Sequence, residues 1–236
     1  MSQERLSQFK DPTGLTTWAI RGLYLSMAVD AIAVVSSTLE YQLLSDLKEG
    51  VFLSEDLALA AVTASDSRQA MIGLVQFLLI LGVGILVLRW MHRANHNARQ
   101  LGAGGMVFTP GWSVGWYFVP IFGMWKPYQA MKETWKASAN PQDWHDVSPP
   151  SVLSWWWLFW IVNSVAGTVA FRLGMGAEEL DELMAGNGVL QIAECATIVA
   201  AFLLAGIIGK VHAMQMAHAN AEQDFQDSIE VDVLDV

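Results

Sequence analysis

Four stretches of this chain carry apolar residues almost without interruption, and each can be measured against the thickness of a bilayer. Ala70–Leu88 holds 19 residues with no charge, Val152–Phe171 holds 20, and Gly188–Gly209 holds 22 with Glu194 as the single charge. Leu23–Leu39 holds 17 with Asp30 as its one charge, and the flanking Trp18–Gly22 and Glu40–Leu44 extend it. A hydrocarbon core about 30 Å thick takes roughly 20 helical residues. Backbone inside that core must satisfy its own hydrogen bonds, so each run reads as a helix. The pattern predicts four spans, at about residues 18–44, 68–90, 152–172 and 188–210.

Two segments test this count. The first span follows Arg5 and Lys10 like a signal peptide, but its apolar stretch is too long and no clean cleavage site follows it, so it reads as an anchor. Gly111–Trp125 has 15 uncharged residues, about 22 Å of helix at the usual rise. Gly115, Pro120 and Gly123 break it, which suits an interfacial or re-entrant segment better than a crossing. The basic residues favour the same answer. With four crossings and the N-terminus inside, ten of the 13 Lys and Arg fall on the cytoplasmic side, and only Lys48, Arg68 and Arg172 fall outside. A fifth crossing would move Lys126, Lys132 and Lys136 out and erase the bias. The expectation is a multi-pass protein of the cell (inner) membrane, with residues 1–16 and the C-terminus both cytoplasmic. All eleven Trp then lie at or near the cytoplasmic face, where indoles favour the headgroup level.

Composition sharpens the class. Hydrophobic residues make up 53% of the 236 and charged ones 15%, against about 25% charged in soluble domains. The net charge of −10 argues against nucleic acid as a partner. Cys195 is the one cysteine, which excludes an intramolecular disulfide; beside Glu194 it reads as a small buried residue. The outer loops, about Ser45–Asp66 and Gly174–Asn187, are acidic and read as solvated. Asp66-Ser-Arg-Gln69 resembles a capping box at the start of the second helix. Residues 222–236 form an acidic tail expected to be disordered.

The central cytoplasmic section is the most distinctive. The second helix should continue past Arg89 and end at Gly102. Further on, Tyr128, Met131 and Trp135 share a helical face beside Lys132 and Lys136, which predicts an amphipathic helix resting on the membrane interface. The section contains Arg93-Ala-Asn95, Asn97-Ala-Arg99, Leu101-Gly102, Pro110, Trp112, Gly115-Trp116, Phe118-Val-Pro120 and Trp125-Lys-Pro-Tyr-Gln-Ala130, continuing through Trp135 and Pro141. At these residues the chain resembles the bacterial membrane family that carries the domain of unknown function DUF4328, over roughly residues 18–210. Gly123 departs from the family, which commonly shows Asn there. The resemblance implies a multi-pass bacterial inner-membrane protein and brings no assigned activity. Within it, residues 17–221 form the membrane domain, and Trp112, Trp116, Pro120, Trp125, Lys126, Pro127, Tyr128 and Trp135 mark the interfacial motif of 111–137.

Residues with chemical potential are few. His92 and His96 stand four apart on a helix, but Arg93 and Arg99 disfavour a metal there, and two polar headgroup-facing residues is the better reading. There is no phosphate loop and no nucleophile motif, so no catalytic residue, metal site or cofactor is expected. Polar residues inside the spans carry more information, because charge at mid-bilayer costs about 2.5–3.5 kcal/mol or more. Counting inward from the cytoplasmic ends, Asp30, Gln76, Asn163 and Glu194 lie about 18, 20, 17 and 24 Å deep. Small or polar residues flank them: Ser26, Ala33 and Ser37 in the first span, and Asn187, Gln191 and Thr197 in the fourth. The four form an intramembrane polar core, either interhelical hydrogen-bond glue or a proton or cation site built on Asp30 and Glu194.

The fold class expected is therefore an all-α membrane protein with four transmembrane helices, a Trp-rich re-entrant or interfacial segment and an amphipathic cytoplasmic helix. The favoured function is a non-enzymatic structural or partner-binding membrane component, with the lipid bilayer and a membrane-protein partner or second copy as its contacts. A small proton, cation or solute transporter or channel is the alternative.

Overall fold

The computed structural model describes residues 8–234, without the side chains of 226, 227 and 229–234. Among the described residues there are six α-helices and no strand: α1 (Thr13–Lys48), α2 (Glu55–Gln100), α3 (Pro110–Gly115), α4 (Lys126–Ala139), α5 (Ser151–Gly176) and α6 (Leu180–Leu234). Short 3₁₀ turns at Trp116–Phe118 and Phe122–Met124 join α3 to α4, and another at Trp144–Asp146 follows α4. The four long helices α1, α2, α5 and α6 are each long and apolar enough to cross a membrane. Each contains one of the spans read from the sequence.

Helix ends follow local chemistry. Asp11 caps α1: its Oδ1 accepts the Thr13 N–H at 2.8 Å, with Pro12 in the first turn. The C-terminus of α2 is a Schellman motif, in which Gly102 at φ +108° lets the Ala103 N–H reach the Ala98 carbonyl and the Gly102 N–H reach that of Arg99. The glycine stop expected from sequence is therefore present, with its mechanism.

Several boundaries differ from expectation. Helix α2 opens eleven residues before Asp66, where the Ser54 Oγ accepts the Leu57 N–H, so Asp66-Ser-Arg-Gln69 lies inside a helix and is no capping box. Helix α6 begins at Leu180, which shortens the second outer loop to 177–179. The same helix runs on to Leu234, so the backbone of the acidic tail is helical over its described part rather than disordered. No Gly or Pro follows Gly209 to stop it, and Ala, Met, Gln and Glu favour propagation. Arg5 and the rest of 1–7, with 235–236, lie outside the described residues.

The chain divides into two compact units. One comprises Gly22–Gly84 and Trp155–Leu204, and we call it the span unit. It is apolar on its outside: Leu25, Ile32, Val35, Phe77, Leu78, Ile80, Val165 and Phe202 are exposed, while Asp30, Ser36, Ser37, Asn187 and Glu194 are buried. Cys195 is exposed, not buried as expected; one residue past the inward Glu194, it is turned away by the helical step of about 100°. The other unit, the cap unit, comprises Met1–Arg21, Ile85–Ser154 and Ala205–Val236. Its core is built from Trp90, Met91, Met131, Ile207, Ile208 and Val211, with a neighbouring cluster of Ala98, Ala103, Met106, Ala137 and Trp144.

Candidate functional site

Two groupings of polar side chains stand out, one in each unit. In the span unit, Gln76 Nε2 donates to Asp30 Oδ1 at 2.9 Å, which joins α2 to α1. The Ser37 hydroxyl reaches both oxygens of Glu194 at 3.2 Å, which joins α1 to α6. Three of the four residues of the expected polar core are thus engaged between helices. Asn163 is half-buried on α5 and is a partner to neither carboxylate. The network extends further than the sequence suggests. Glu40 Oε2 accepts from Gln69 at 2.7 Å and from Asn187 at 2.9 Å, and Gln191 donates to Asn187. Arg68 donates to Ser36 and Ser65. Glu40 stands one turn beyond the buried Ser36 and Ser37 on α1, so the helical period was the signal that could have found it. Lys48 and Asp181 form an exposed ion pair.

In the cap unit, the run Arg93–Arg99 spends its polar side chains on holding backbone. Arg93 donates to the Asp11 carbonyl at 3.1 Å, and His96 meets the Gln8 carbonyl at 3.0 Å. Asn97, fully buried, grips Lys10 twice: its amide donates to the Lys10 carbonyl at 2.8 Å and accepts the Lys10 N–H at 3.2 Å. Arg99 donates to the Met106 and Phe108 carbonyls and to the Asn95 side chain. Glu133 completes the loop from the other side, accepting the Val107 N–H at 2.6 Å and the Phe108 N–H at 2.9 Å. Gln215 of α6 donates to the Ala94 carbonyl and the Ser138 hydroxyl, both at 2.8 Å. An α-helix satisfies its own backbone, whereas the irregular segments 8–11 and 101–109 cannot; Arg93, His96 and Asn97 fill the deficit of the first, and Arg99 and Glu133 that of the second. Glu133 carries no sequence signal, since a Glu between Lys132 and Lys136 reads as part of a solvated face.

The loop so braced leads into an aromatic ladder. Ring centroids of Trp112 and Trp116 are 4.7 Å apart, Trp116 and Phe122 5.6 Å, and Phe122 and Trp125 5.3 Å. Lys126 Nζ lies 5.8 Å from the Trp116 ring and 5.6 Å from that of Phe108. Trp112, Phe118, Ile121, Phe122, Met124 and Trp125 are all exposed. Between the two 3₁₀ turns, Ile121 sits at φ +66°, ψ −57°, and the Phe122 N–H bonds back to the Pro120 carbonyl at 2.7 Å. That is a γ-turn of the strained hand, held by a β-branched residue. Beside it the chain passes close to itself: a Cβ on Gly123 would stand 3.3 Å from the Trp116 carbonyl oxygen, a few tenths of an ångström inside ordinary contact.

The remaining motif residues divide. Pro127 and Trp135 are buried, and the Tyr128 hydroxyl pairs with Ser154 at 2.9 Å. Helix α4 is therefore not a helix lying on the membrane: Ala130, Met131, Glu133, Thr134, Trp135, Ala137 and Ser138 are all buried inside the unit. The apolar stripe of Met131 and Trp135 was read correctly as a packing face, but the polar Glu133, Thr134 and Ser138 pack as well. Nor are the tryptophans uniformly interfacial. Trp18, Trp112, Trp125 and Trp155 are exposed, whereas Trp90, Trp144 and Trp156 are buried, with the Trp144 indole bonded to the Gly104 carbonyl.

A cleft of about 470 Å³ opens in the cap unit, lined by Lys10, Arg89, His92, Arg93 and His96 with Leu15, Leu88, Gly111 and Val114. The two histidines thus share a cleft, but in the company of three permanent cations.

Among the described residues the chain is all-helical, and four of its helices are long and apolar enough to cross a membrane, with polar pairs joining α1 to α2 and to α6. Its family is the domain of unknown function DUF4328, whose family model matches residues 54–213; the chain belongs to that family. Helix α1, with Asp30, Ser37 and Glu40, precedes the matched region, whereas the braced loop and the aromatic ladder lie within it. No curated protein and no solved structure matches the chain significantly.

Proposed function

We propose that this protein is a non-enzymatic, multi-pass component of the bacterial inner membrane, with both termini cytoplasmic, that serves a structural or partner-binding role. The observation that carries the reading is the aromatic ladder Trp112–Trp116–Phe122–Trp125, with Trp112, Phe122 and Trp125 exposed, following a loop braced by Arg99 and Glu133. Polar residues that would be candidates for chemistry are spent on that bracing, and what they present outward is apolar and aromatic. Such a surface suits the headgroup level of a bilayer or the flank of another membrane protein. The distribution of Lys and Arg supports a cytoplasmic location for it.

A second reading, a small proton, cation or solute transporter or channel, is favoured by the two largely buried carboxylates Asp30 and Glu194, each within hydrogen-bond reach of one donor side chain. Reconstitution in liposomes separates the two. The structural reading expects no proton or cation flux from the wild type. Flux that disappears in Asp30→Asn and Glu194→Gln would establish transport instead. Topology is checked with cysteines introduced on Cys195→Ser protein: Glu49→Cys and Glu179→Cys should label from outside intact cells and Ala137→Cys should not. External labelling at Ala137→Cys would overturn the four-crossing arrangement.

A further inference from the structure

The cleft of the cap unit has a composition that the bracing network does not account for. Three permanent cations, Lys10, Arg89 and Arg93, and two imidazoles, His92 and His96, line about 470 Å³, and no acidic side chain is among the lining residues. That volume falls in the range of small-ligand sites. The cations are not held there by ion pairs. Arg89 is exposed and has no hydrogen-bond or charge partner among the described residues. Arg93 is oriented by a backbone carbonyl, that of Asp11; the Asp11 carboxylate lies near enough to feel the Arg93 charge but is hydrogen-bonded to Thr13, not to the guanidinium. Lys10 is fixed through its main chain by Asn97, which leaves its ammonium free to serve the cleft. Bringing like charges together costs energy, and an anion is what offsets that cost.

Leu15, Leu88 and Val114 supply an apolar lip to the same cleft. Leu88 and Arg89 mark the point where the 19 uncharged residues of Ala70–Leu88 end, so the cleft lies at the depth where acyl chains give way to headgroups. Exposed Trp18 and Trp112 belong to the same unit. A free anion would gain nothing from the apolar lip, whereas a lipid phosphate carries its glycerol and first methylenes with it.

We infer that this cleft binds the phosphate headgroup of an anionic phospholipid of the cytoplasmic leaflet, with Arg89, Lys10 and Arg93 as phosphate ligands and Leu15, Leu88 and Val114 against the start of the acyl chains. Guanidinium groups suit this role because their donors match phosphate oxygens in pairs. The inference rests on the membrane reading, so that reading has its own control: the protein must stay with membranes through alkaline carbonate extraction. Release by carbonate would remove the membrane reading itself, whatever the lipid result.

The test is native mass spectrometry of the full chain in mild detergent, titrated with phosphatidylglycerol, phosphatidylcholine or glycerol 3-phosphate. Phosphatidylglycerol should be retained at least about tenfold more strongly than phosphatidylcholine. The variant Lys10→Gln/Arg89→Gln should lose most of that preference, by about tenfold or more for two cations removed near the headgroup. Arg89→Lys should restore part of it. Both positions are exposed, so the thermal midpoint without added lipid should be unchanged and misfolding can be told from lost binding. Equal retention of the two lipids, or undiminished preference in the double variant, overturns the proposal. Binding of glycerol 3-phosphate as tight as that of phosphatidylglycerol, and lost in the same variant, overturns the lipid assignment in favour of a soluble phosphate.

Discussion

The span unit and the cap unit both bury polar side chains, but they use them for different tasks. In the span unit the bonds run from side chain to side chain: Gln76 to Asp30, Ser37 to Glu194, and Gln69 and Asn187 to Glu40. In the cap unit they run mostly from side chain to backbone: Arg99 to the Met106 and Phe108 carbonyls, Glu133 from the Val107 and Phe108 amides, Asn97 to both groups of Lys10. The difference follows from secondary structure. Long uninterrupted helices leave no backbone group wanting, so a buried Asp or Glu must find a side chain on the next helix. Broken chain, with turns at 101–109 and 116–125, leaves carbonyls and amides exposed to the core, and polar side chains are consumed in satisfying them.

The two kinds of bond should therefore differ in worth. The largest effect is expected at Glu133, which is buried and accepts two backbone amides. Glu133→Ala would leave both amides unsatisfied and should cost about 3 kcal/mol or more. Glu133→Gln keeps one acceptor oxygen but turns an N–H toward the second amide, so it should fall between. Thermal unfolding in detergent measures both, and a loss below about 1 kcal/mol for the Ala variant would mean that the loop is not held by this bond.

Next in size is the strained turn. Ile121 is 71% exposed, so its side chain contributes little packing to offset its positive φ. Such strain is worth about 1–3 kcal/mol, part of which glycine gives back as lost chain entropy. Ile121→Gly should stabilise the cap unit by about 1 kcal/mol. If the exposed isoleucine serves contact with lipid or a partner, the same variant should weaken membrane association of the ladder, as read by brominated-lipid quenching of its tryptophans. Destabilisation would show that the turn is not strained.

In the span unit the expected cost is smaller. Asp30→Asn preserves a partner for Gln76 and should be nearly silent, while Asp30→Leu should cost about 0.6 kcal/mol, the usual worth of an interhelical hydrogen bond in a membrane. A cost at Asp30 equal to that at Glu133 would erase the contrast between the units.

The regular parts of this architecture were legible in the sequence and the irregular parts were not. Four apolar runs gave four long helices because length and composition suffice to specify a long apolar helix, and Gly102 marked its own Schellman stop. Asp30, Gln76 and Glu194 were found because a polar residue in an apolar run is conspicuous. Asn163 looked the same and is engaged with neither carboxylate, since depth alone does not say which face of α5 turns inward. Glu133 was invisible, because its partners are backbone amides of a loop and loop geometry leaves no periodic trace; Gln215 was invisible because its partners, the Ala94 carbonyl and the Ser138 hydroxyl, lie on two other helices far away in sequence. Helix α4 is amphipathic as read, but the extent of its burial was not legible for a related reason: Thr134 and Ser138 are buried along with the apolar stripe, and polar residues on a helix read as solvated.

The smallest expected effect, that of Asp11→Asn, comes from comparing two carboxylates that do the same work at different burial. Asp11, like Glu133, holds a backbone amide, here the Thr13 N–H at the start of α1, but it is exposed. The Thr13 hydroxyl and then the Thr13 N–H hold its carboxyl below its ordinary value of 3.8, with minor help from the nearby His212 and Arg93. A depressed folded value means that the charged form stabilises the fold. That contribution is present above 3.8 and is lost as the pH falls through 3.8 and then through the lower folded value. Solvent and salt screen an exposed group, so the whole cap should be worth no more than about 0.5–1 kcal/mol, the cost expected of Asp11→Ala at neutral pH. Asn caps a helix about as well as Asp, so Asp11→Asn should lose only a few tenths of a kcal/mol there. Other carboxylates titrate in the same range, so the informative quantity is the difference between wild type and Asp11→Asn as a function of pH. That difference should shrink toward zero as acid neutralises Asp11, and should shrink also with added salt. A difference that stays constant down to the acid limit would mean that Asp11 acts through shape alone, leaving Glu133 as the case where burial decides the worth of a carboxylate on a backbone amide.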